Sequence, residues 1–346
     1  LQSGDPATIA TWSEIVRESQ YAFDRVYDRL GVQLTAQDSA GESRYNDMLD
    51  DVAEELESAG IAVPSEGALV VLSEEITGPD DKPAALMVRK RDGGYGYDTT
   101  DLATIRYRIR ELGADRILYV VGSPQTLHFR LIFEVARRVG WLTDDVQTHH
   151  VAFGSVLGPD GKPFRTREGG TVRLMDLLDE AVAVVREGAQ AKGQEVEETT
   201  LATIAEQAGI GAVKYADLSN SRNKDYVFDV ERMTAFNGNT GVYLQYAHTR
   251  LASILRRAQE RGITLPGAGE VDSSGALEPA ERGLVLRLDT FGQSLADVAA
   301  ELEPHRLAGY LYELARTFTD FYEACPVLAS EGAVRDRRLV LVDLTR

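Results

Sequence analysis

Apolar residues Trp12, Ile15, Val16, Phe23, Val26, Tyr27 and Leu30 recur three and four positions apart. That repeat marks one face of a helix, and it predicts an amphipathic helix over 7–30 that Gly31 ends. Residues 45–60 predict a second helix with an acidic outer face. Short apolar runs at 68–72 and 85–88, with Gly, Pro and Asp between them, predict two strands. The pattern then alternates. A helix is predicted over 101–112 with Thr100 or Asp101 near its cap. A buried strand follows over 116–121, ending at Gly122, then a helix over 126–139 and a strand over 149–157. Strand, helix and strand at this spacing predict a parallel βαβ unit. Beyond about 171 the pattern is almost wholly helical: 173–188, 200–218, 241–261, 279–289, 292–302 and 304–324. The polar stretch 189–200 reads as a connection, and 262–276, rich in Gly, Pro and Ser, as a linker.

Length and composition narrow this picture. A chain of 346 residues is long enough for two or three domains with a real core. No run of about 18 apolar residues is present, so no membrane span is expected. The start, Leu1-Gln2-Ser3-Gly4-Asp5, has neither a basic nor an apolar signal region and no initiator Met. A fragment, a processed form, or a chain whose earlier residues lie outside this sequence is therefore expected; the single cysteine fits a reducing cytoplasm. The one cysteine, Cys325, allows no disulfide within the chain and no Cys-based metal site; it is expected to be a buried apolar side chain. A net charge of −18 argues against general polyanion binding. The charge is uneven: residues 1–60 hold 13 acidic against 4 basic side chains, and residues 201–260 hold 6 against 7. A local nucleic-acid surface is compatible with the second region.

Three clusters carry candidate chemistry. In Gly93-Gly94-Tyr95-Gly96-Tyr97-Asp98-Thr99-Thr100-Asp101 a glycine turn runs into a helix. Tyr97 and Asp101 are four apart and can share a helical face, where a carboxylate beside an aromatic ring suits a guanidinium. The plainer reading makes Asp101 a helix N-cap. Gly122-Ser123-Pro124-Gln125-Thr126-Leu127-His128 lies past the C-terminal end of a buried strand, where open α/β sheets bind ligands. There Gln125 can bond a polar substrate and His128 can reach a phosphate or ribose; a capping loop with a satisfied histidine is the alternative. The third, 153–167, is a glycine loop carrying Lys162, Arg165 and Arg167. Mobile cations of this kind suit a triphosphate, although the order is not that of a Walker A loop; an exposed basic hairpin tip is the other reading.

The order of these blocks resembles arginyl-tRNA synthetases, class I enzymes with a split Rossmann fold. "GGYGYDTTDLA", "YVVGSPQTLHF" and "FGSVLGPDGKPFRTREGGTVRLMDLLDEAV" are similar to long family signatures, as are "GIGAVKYADLSNSRNKDYVFDVERM" and "GNTGVYLQYAHTRL". The resemblance covers essentially the whole chain. It implies a partial class I Rossmann fold followed by an all-helical bundle. Residues 1–90 would be the insertion between Rossmann halves and 91–170 the second half; 171–240 would be a connecting region and 241–346 the anticodon-binding domain. It further implies ATP-dependent activation of L-arginine and transfer to its tRNA, with Mg²⁺ accompanying ATP, no prosthetic group, no dedicated metal site, and a monomer.

Carried over by position, the resemblance implies that Tyr97, Asp101 and Gln125 hold arginine. His128, Gly154, Val156, Lys162 and Phe164 would contact ATP. Lys162, Arg165 and Arg167 would correspond to the catalytic "KMSKS" loop. Tyr243, Gln245, Tyr246, His248 and Arg250 match the stretch that begins the tRNA-binding bundle, while Leu244, Leu251 and Leu255 fall at core spacing. The main departure is the absence of an early histidine signature, and two lesser ones accompany it. Arg165 occupies a position where relatives usually carry Lys, and Asn237 to Val242 lack the usual acid and proline. No two of the five histidines, His128, His149, His150, His248 and His305, have the spacing of the early "HIGH" signature. That signature is expected outside these residues, and tRNA charging by residues 1–346 alone is not expected. Two other readings stay open: a paralogue keeping arginine and ATP recognition for another role, and a non-catalytic tRNA- or protein-binding module.

Overall fold

The computed structural model describes residues 4–78, 81–162, 173–191, 197–272 and 274–346. Two compact units divide the chain, Leu1–Gly154 and Ser155–Arg346.

The first unit opens with α1, Pro6–Leu30. Its start is fixed by Pro6 and by Asp5, whose carboxylate accepts the Thr8 N–H at 2.8 Å, and Gly31 ends it at φ 65°. The amphipathic pattern is present, but no residue of α1 is buried: Ile9, Ile15, Val16, Phe23 and Tyr27 are exposed. After short 3-10 turns comes α2, Leu49–Ser58. Strands β1, Ala62–Ser65, β2, Ala68–Thr77, and β3, Pro83–Arg89, form an antiparallel sheet in that order. Then come α3, Tyr97–Arg110, β4, Arg116–Gly122, α4, Thr126–Arg138, and β5, Gln147–Phe153. Strands β4 and β5 pair in parallel around the α4 crossover, as the alternating pattern predicts. One core joins these pieces, with Leu49, Leu56, Leu86, Leu102, Ile105 and Ile132 fully buried.

Helix α3 begins at Tyr97, earlier than the periodicity predicts. Gly96 is its N-cap, so Asp101 lies inside the helix and neither it nor Thr100 is the cap. The early start escapes a reading of apolar spacing because the first turn is packed through polar groups. Thr99 and Thr100 are buried, and the Thr99 hydroxyl donates to the Val88 carbonyl. The strand predicted over 149–157 is also two pieces. β5 stops at Phe153, and Val156–Leu157 forms β6, which pairs in the second unit.

There β6 lies parallel to β7, Tyr226–Val227, and the rest is helical. The helices are α5, Leu174–Ala191, α6, Glu198–Ser219, α7, Val230–Met233, α8, Gly241–Glu260, and α9, Pro279–Asp289. They continue with α10, Phe291–Glu301, α11, Pro304–Ala324, and α12, Gly332–Thr345. Helices α6 and α8 approach so closely that a Cβ on Gly241 would sit 2.7 Å from the Gly211 carbonyl oxygen. The core beyond them gathers Leu251, Leu284, Phe318, Phe321, Leu339 and a fully buried Cys325. Of the three leucines expected in the α8 core, Leu251 is buried while Leu244 and Leu255 are half-buried.

Helix α12 is missing from the sequence prediction. Its buried face carries Arg337 and Arg338, residues that read as surface. Both reach the fully buried Glu281 of α9, Arg338 Nε at 2.7 Å and Arg337 Nη2 at 3.2 Å. The Glu278 N–H donates to the same carboxylate at 2.8 Å. Burial pushes the Glu281 pKa up, but Arg338, the Glu278 amide and Arg337 outweigh it and hold the carboxyl below its ordinary range.

Candidate functional site

The connection from β3 to α3 is a tight turn. The Lys90 N–H donates to the Gly94 carbonyl at 2.8 Å and the Gly93 N–H to the Lys90 carbonyl at 3.0 Å, with Gly93 at φ 84°. Only glycine adopts that backbone without strain. The turn delivers Tyr97 as the first residue of α3, with its ring 59% exposed. On the other side, β4 and β5 end together, Gly122 opposite Phe153, and the Ser123 hydroxyl donates to the Phe153 carbonyl at 2.9 Å. This is the carboxyl end of a parallel pair, from which α4 starts. Gln125 stands exposed at the α4 N-cap.

His128 joins the two helix starts. Its Nε2 lies 2.7 Å from Asp101 Oδ2 and its Nδ1 3.2 Å from Asp98 Oδ1. Its ring centroid is 4.9 Å from that of Tyr97. Ionised carboxylates only accept hydrogen bonds, so a ring set between two of them is suited to carry a proton on each nitrogen. Burial works against that charge, but the bonds to Asp101 and Asp98 outweigh it and raise the His128 pKa to about 9. The sequence reading sets His128 beside an adenylate; in the structure its ring lies between the two carboxylates. Asp98 is the member that sequence reasoning missed. Its second oxygen accepts the Met87 N–H at 3.0 Å, which ties α3 to β3. The available signal was its spacing, three residues before Asp101 and so on the same helical face.

The glycine loop belongs to the second unit from Ser155 onward. The Gly158 N–H donates to the Lys162 carbonyl at 2.7 Å, Gly161 takes φ 71°, and Lys162 is exposed. Gly154 is half-buried and Val156 lies in β6. Phe164, Arg165 and Arg167 lie outside the described residues.

The five α8 residues do not share one face. The Tyr243 hydroxyl is 3.4 Å from Thr319 Oγ1 of α11, and Gln245 Nε2 donates to the Gln207 carbonyl of α6 at 3.1 Å. His248 Nδ1 lies 3.2 Å from the Arg346 carbonyl. Tyr246 and Arg250, one turn apart, do stand together. The guanidinium lies 4.9 Å from the Tyr246 ring centroid and 4.8 Å from that of Tyr322. Among the described residues, no three His, Cys, Asp or Glu side chains gather as a metal cage, and no helix is long and apolar enough to cross a membrane.

Comparison with known proteins gives this arrangement its class. Residues 1–230 match the family described as "tRNA synthetases class I (R), catalytic domain", and residues 244–346 match the "DALR anticodon binding domain". An arginine–tRNA ligase of Frankia casuarinae is 65% identical over 345 residues, taking in 100% of this chain and 58% of that protein. One of Streptomyces avermitilis is 51% identical over 354 residues, again 100% of this chain and 58% of that protein. The crystal structure of arginyl-tRNA synthetase from Plasmodium falciparum superposes with a TM-score of 0.85 at 28% identity, over 99% of this chain and 56% of that one. The fold is thus that of a class I synthetase catalytic domain followed by a helical anticodon-binding domain. The chain belongs to the arginyl-tRNA synthetase family, and it spans 58% of the length of these two curated relatives.

Proposed function

We propose that this chain is the arginine-recognising and tRNA-anchoring part of an arginine–tRNA ligase. One observation carries the reading: Tyr97, Asp98 and Asp101 make an anionic, aromatic-walled site at the start of α3, beside the carboxyl ends of β4 and β5. A guanidinium matches such a site through a bidentate bond to one carboxylate and stacking on a ring. Gln125, exposed on the neighbouring helix start, would hold the polar end of the same amino acid.

The reaction proposed is attack of the arginine carboxylate on the α-phosphorus of ATP, with pyrophosphate leaving and arginyl-adenylate formed. The terminal ribose hydroxyl of arginine tRNA then attacks the adenylate carbonyl and AMP leaves. The chain's contribution would be positioning and stabilisation of phosphate charge, with no covalent enzyme intermediate. Lys162, Arg165 and Arg167 are assigned to the phosphate loop by family position. Mg²⁺ would ride on the triphosphate. In α8, Tyr246 and Arg250 would meet the tRNA, whereas Tyr243, Gln245 and His248 are engaged by other parts of the unit. The reading extends to the division at 90, 170 and 240, to a monomer and to the cytoplasm. Nothing among the described residues favours a non-translational paralogue or a bare binding module.

The test is calorimetric titration of L-arginine into the full-length protein and into Asp101→Ala. At least a 100-fold loss of affinity is expected, on the order of 2.7 kcal/mol, because the guanidinium loses its bidentate partner. Unchanged affinity would overturn the pocket.

A further inference from the structure

The site described above is already occupied by a cation of its own. Between Asp98 and Asp101, where the proposed guanidinium would go, stands the His128 ring, with a proton on each nitrogen. The two carboxylates are held differently. Asp98 is braced from behind by the Met87 amide at 3.0 Å. Asp101 has no hydrogen-bond donor but His128 among the described residues, and its side chain is the more exposed, 29% against 20%. Asp98 is therefore the anchor and Asp101 the carboxylate free to change partner. The other titratable groups around the ring leave this balance intact. Tyr97 of α3 packs against His128 with its ring tilted by 54°; Tyr119 of β4 and His150 of β5 lie one ring further away, across Phe129. Arg108 sits over Tyr119, 5.1 Å from its centroid, and His150 is engaged by the Val121 carbonyl at 3.0 Å.

We propose that His128 is a specificity-determining residue for arginine: its imidazolium occupies Asp101 until a guanidinium takes that carboxylate, and the displaced ring gives up its proton to solvent. The inference rests on the arginine reading of the site and adds to it what the ligand must displace. Charge decides the direction of the exchange. When a guanidinium takes Asp101, the imidazolium loses one of its two carboxylates and gains a cation as neighbour, and both changes weaken its hold on the second proton. Releasing the Nε2 proton removes that repulsion and leaves arginine on Asp101 and a neutral ring that keeps its Nδ1–H toward Asp98. Selectivity follows from geometry. A guanidinium replaces the single bond that Asp101 loses with two parallel ones, whereas an ammonium returns a monodentate contact and does not compensate for the displaced imidazolium. Lysine would thus be rejected by competition with a resident cation as well as by fit.

The experiment is arginine binding to the full-length protein at pH 7 and 8, by calorimetry in buffers of different ionisation heat, for wild type and His128→Asn. Wild type should release about one proton per arginine bound, and its affinity should rise by up to tenfold per pH unit in this window. His128→Asn should release none, bind arginine independently of pH, and lose at least tenfold of its preference for arginine over lysine. Because the variant can also fail by unfolding, the wild-type ring is followed directly: its ¹⁵N imidazole resonances should move from the charged to the neutral form on arginine addition. Arginine binding that depends on Asp101 but releases no proton, with His128 still charged in the complex, would overturn this inference and leave the pocket standing. Absence of saturable arginine binding, or binding indifferent to Asp101→Ala, would overturn both.

Discussion

Two acid–base knots, one from each unit, are built to opposite specifications. In the second unit Glu281 is fully buried between Arg337 and Arg338, whose side chains are about one-tenth exposed. In the first, Asp101 is 29% exposed and its partner is a histidine. An arginine stays charged at any ordinary pH, so the Glu281 knot has one state. A histidine can surrender its charge near neutrality, so the Asp101 knot has two. Permanent charge sealed from water fixes a helix in place; removable charge open to water leaves a site that a ligand can enter. The contrast separates two uses of buried charge in one chain that a count of ion pairs would merge.

The largest effect expected from this contrast is on stability. Glu281→Ala leaves two guanidinium groups buried without a partner and removes the link between α9 and α12. It should cost about 3–5 kcal/mol in denaturant unfolding, while arginine affinity stays within twofold of wild type. Asp101→Ala should do the reverse. Its half-open position limits the stability loss to about 1 kcal/mol, while arginine binding is lost. If both variants lose stability equally and both keep arginine affinity, the distinction between the knots fails.

The pH dependence of the two should also point in opposite directions. Glu281 has its pKa lowered on folding, so its contribution is present above its ordinary value of 4.5 and disappears as pH falls through the lower folded value. His128 has its pKa raised from 6.5 to about 9, so its contribution is complete below 6.5 and is lost as pH rises through about 9. Linkage sets an upper bound of about 3 kcal/mol for the histidine, and water at Asp101 reduces it to about 1–2 kcal/mol. Unfolding measured from pH 6 to 10 should show that decline in wild type and not in His128→Asn. A decline of equal size in both would locate it elsewhere in the protein.

Much of this was legible in the sequence because apolar periodicity is faithful where a core is apolar. α4, α6, α8 and α11 fall within a few residues of their predicted bounds, and the β4–α4–β5 crossover is as predicted. The failures occur where polar groups do the packing. Thr99 and Thr100 hide the first turn of α3, and Arg337 and Arg338 hide α12. Tyr97, Asp101 and His128 could be named from sequence, but not that the histidine would take the carboxylates. One-dimensional spacing gives the shared face of Tyr97 and Asp101. It cannot give the approach of α4 to α3, a contact set by the whole first core. On α8 the limit is similar: the sequence names five candidates between 243 and 250, and only packing shows Gln245 bonded to α6, His248 to Arg346, and Tyr243 and Arg250 both set against α11.

The smallest predicted effect tests which feature makes the Asp101 knot special, its openness or its histidine. Glu55 of α2 offers the control. Its side chain is 30% exposed, close to that of Asp101, but its cations are arginines: Arg106 Nε at 2.9 Å and Arg110 Nη2 at 2.7 Å. Trp141 Nε1 also donates to it at 2.7 Å. In Glu55→Gln the amide oxygen still accepts from Trp141, and the two arginines are wet enough to be solvated in place. The loss should therefore be under about 1 kcal/mol, and with no titratable partner it should not vary between pH 6.5 and 9. A loss that does vary across that window would mean that exposure alone makes a knot pH-sensitive, and the role given to His128 in the contrast would pass to water.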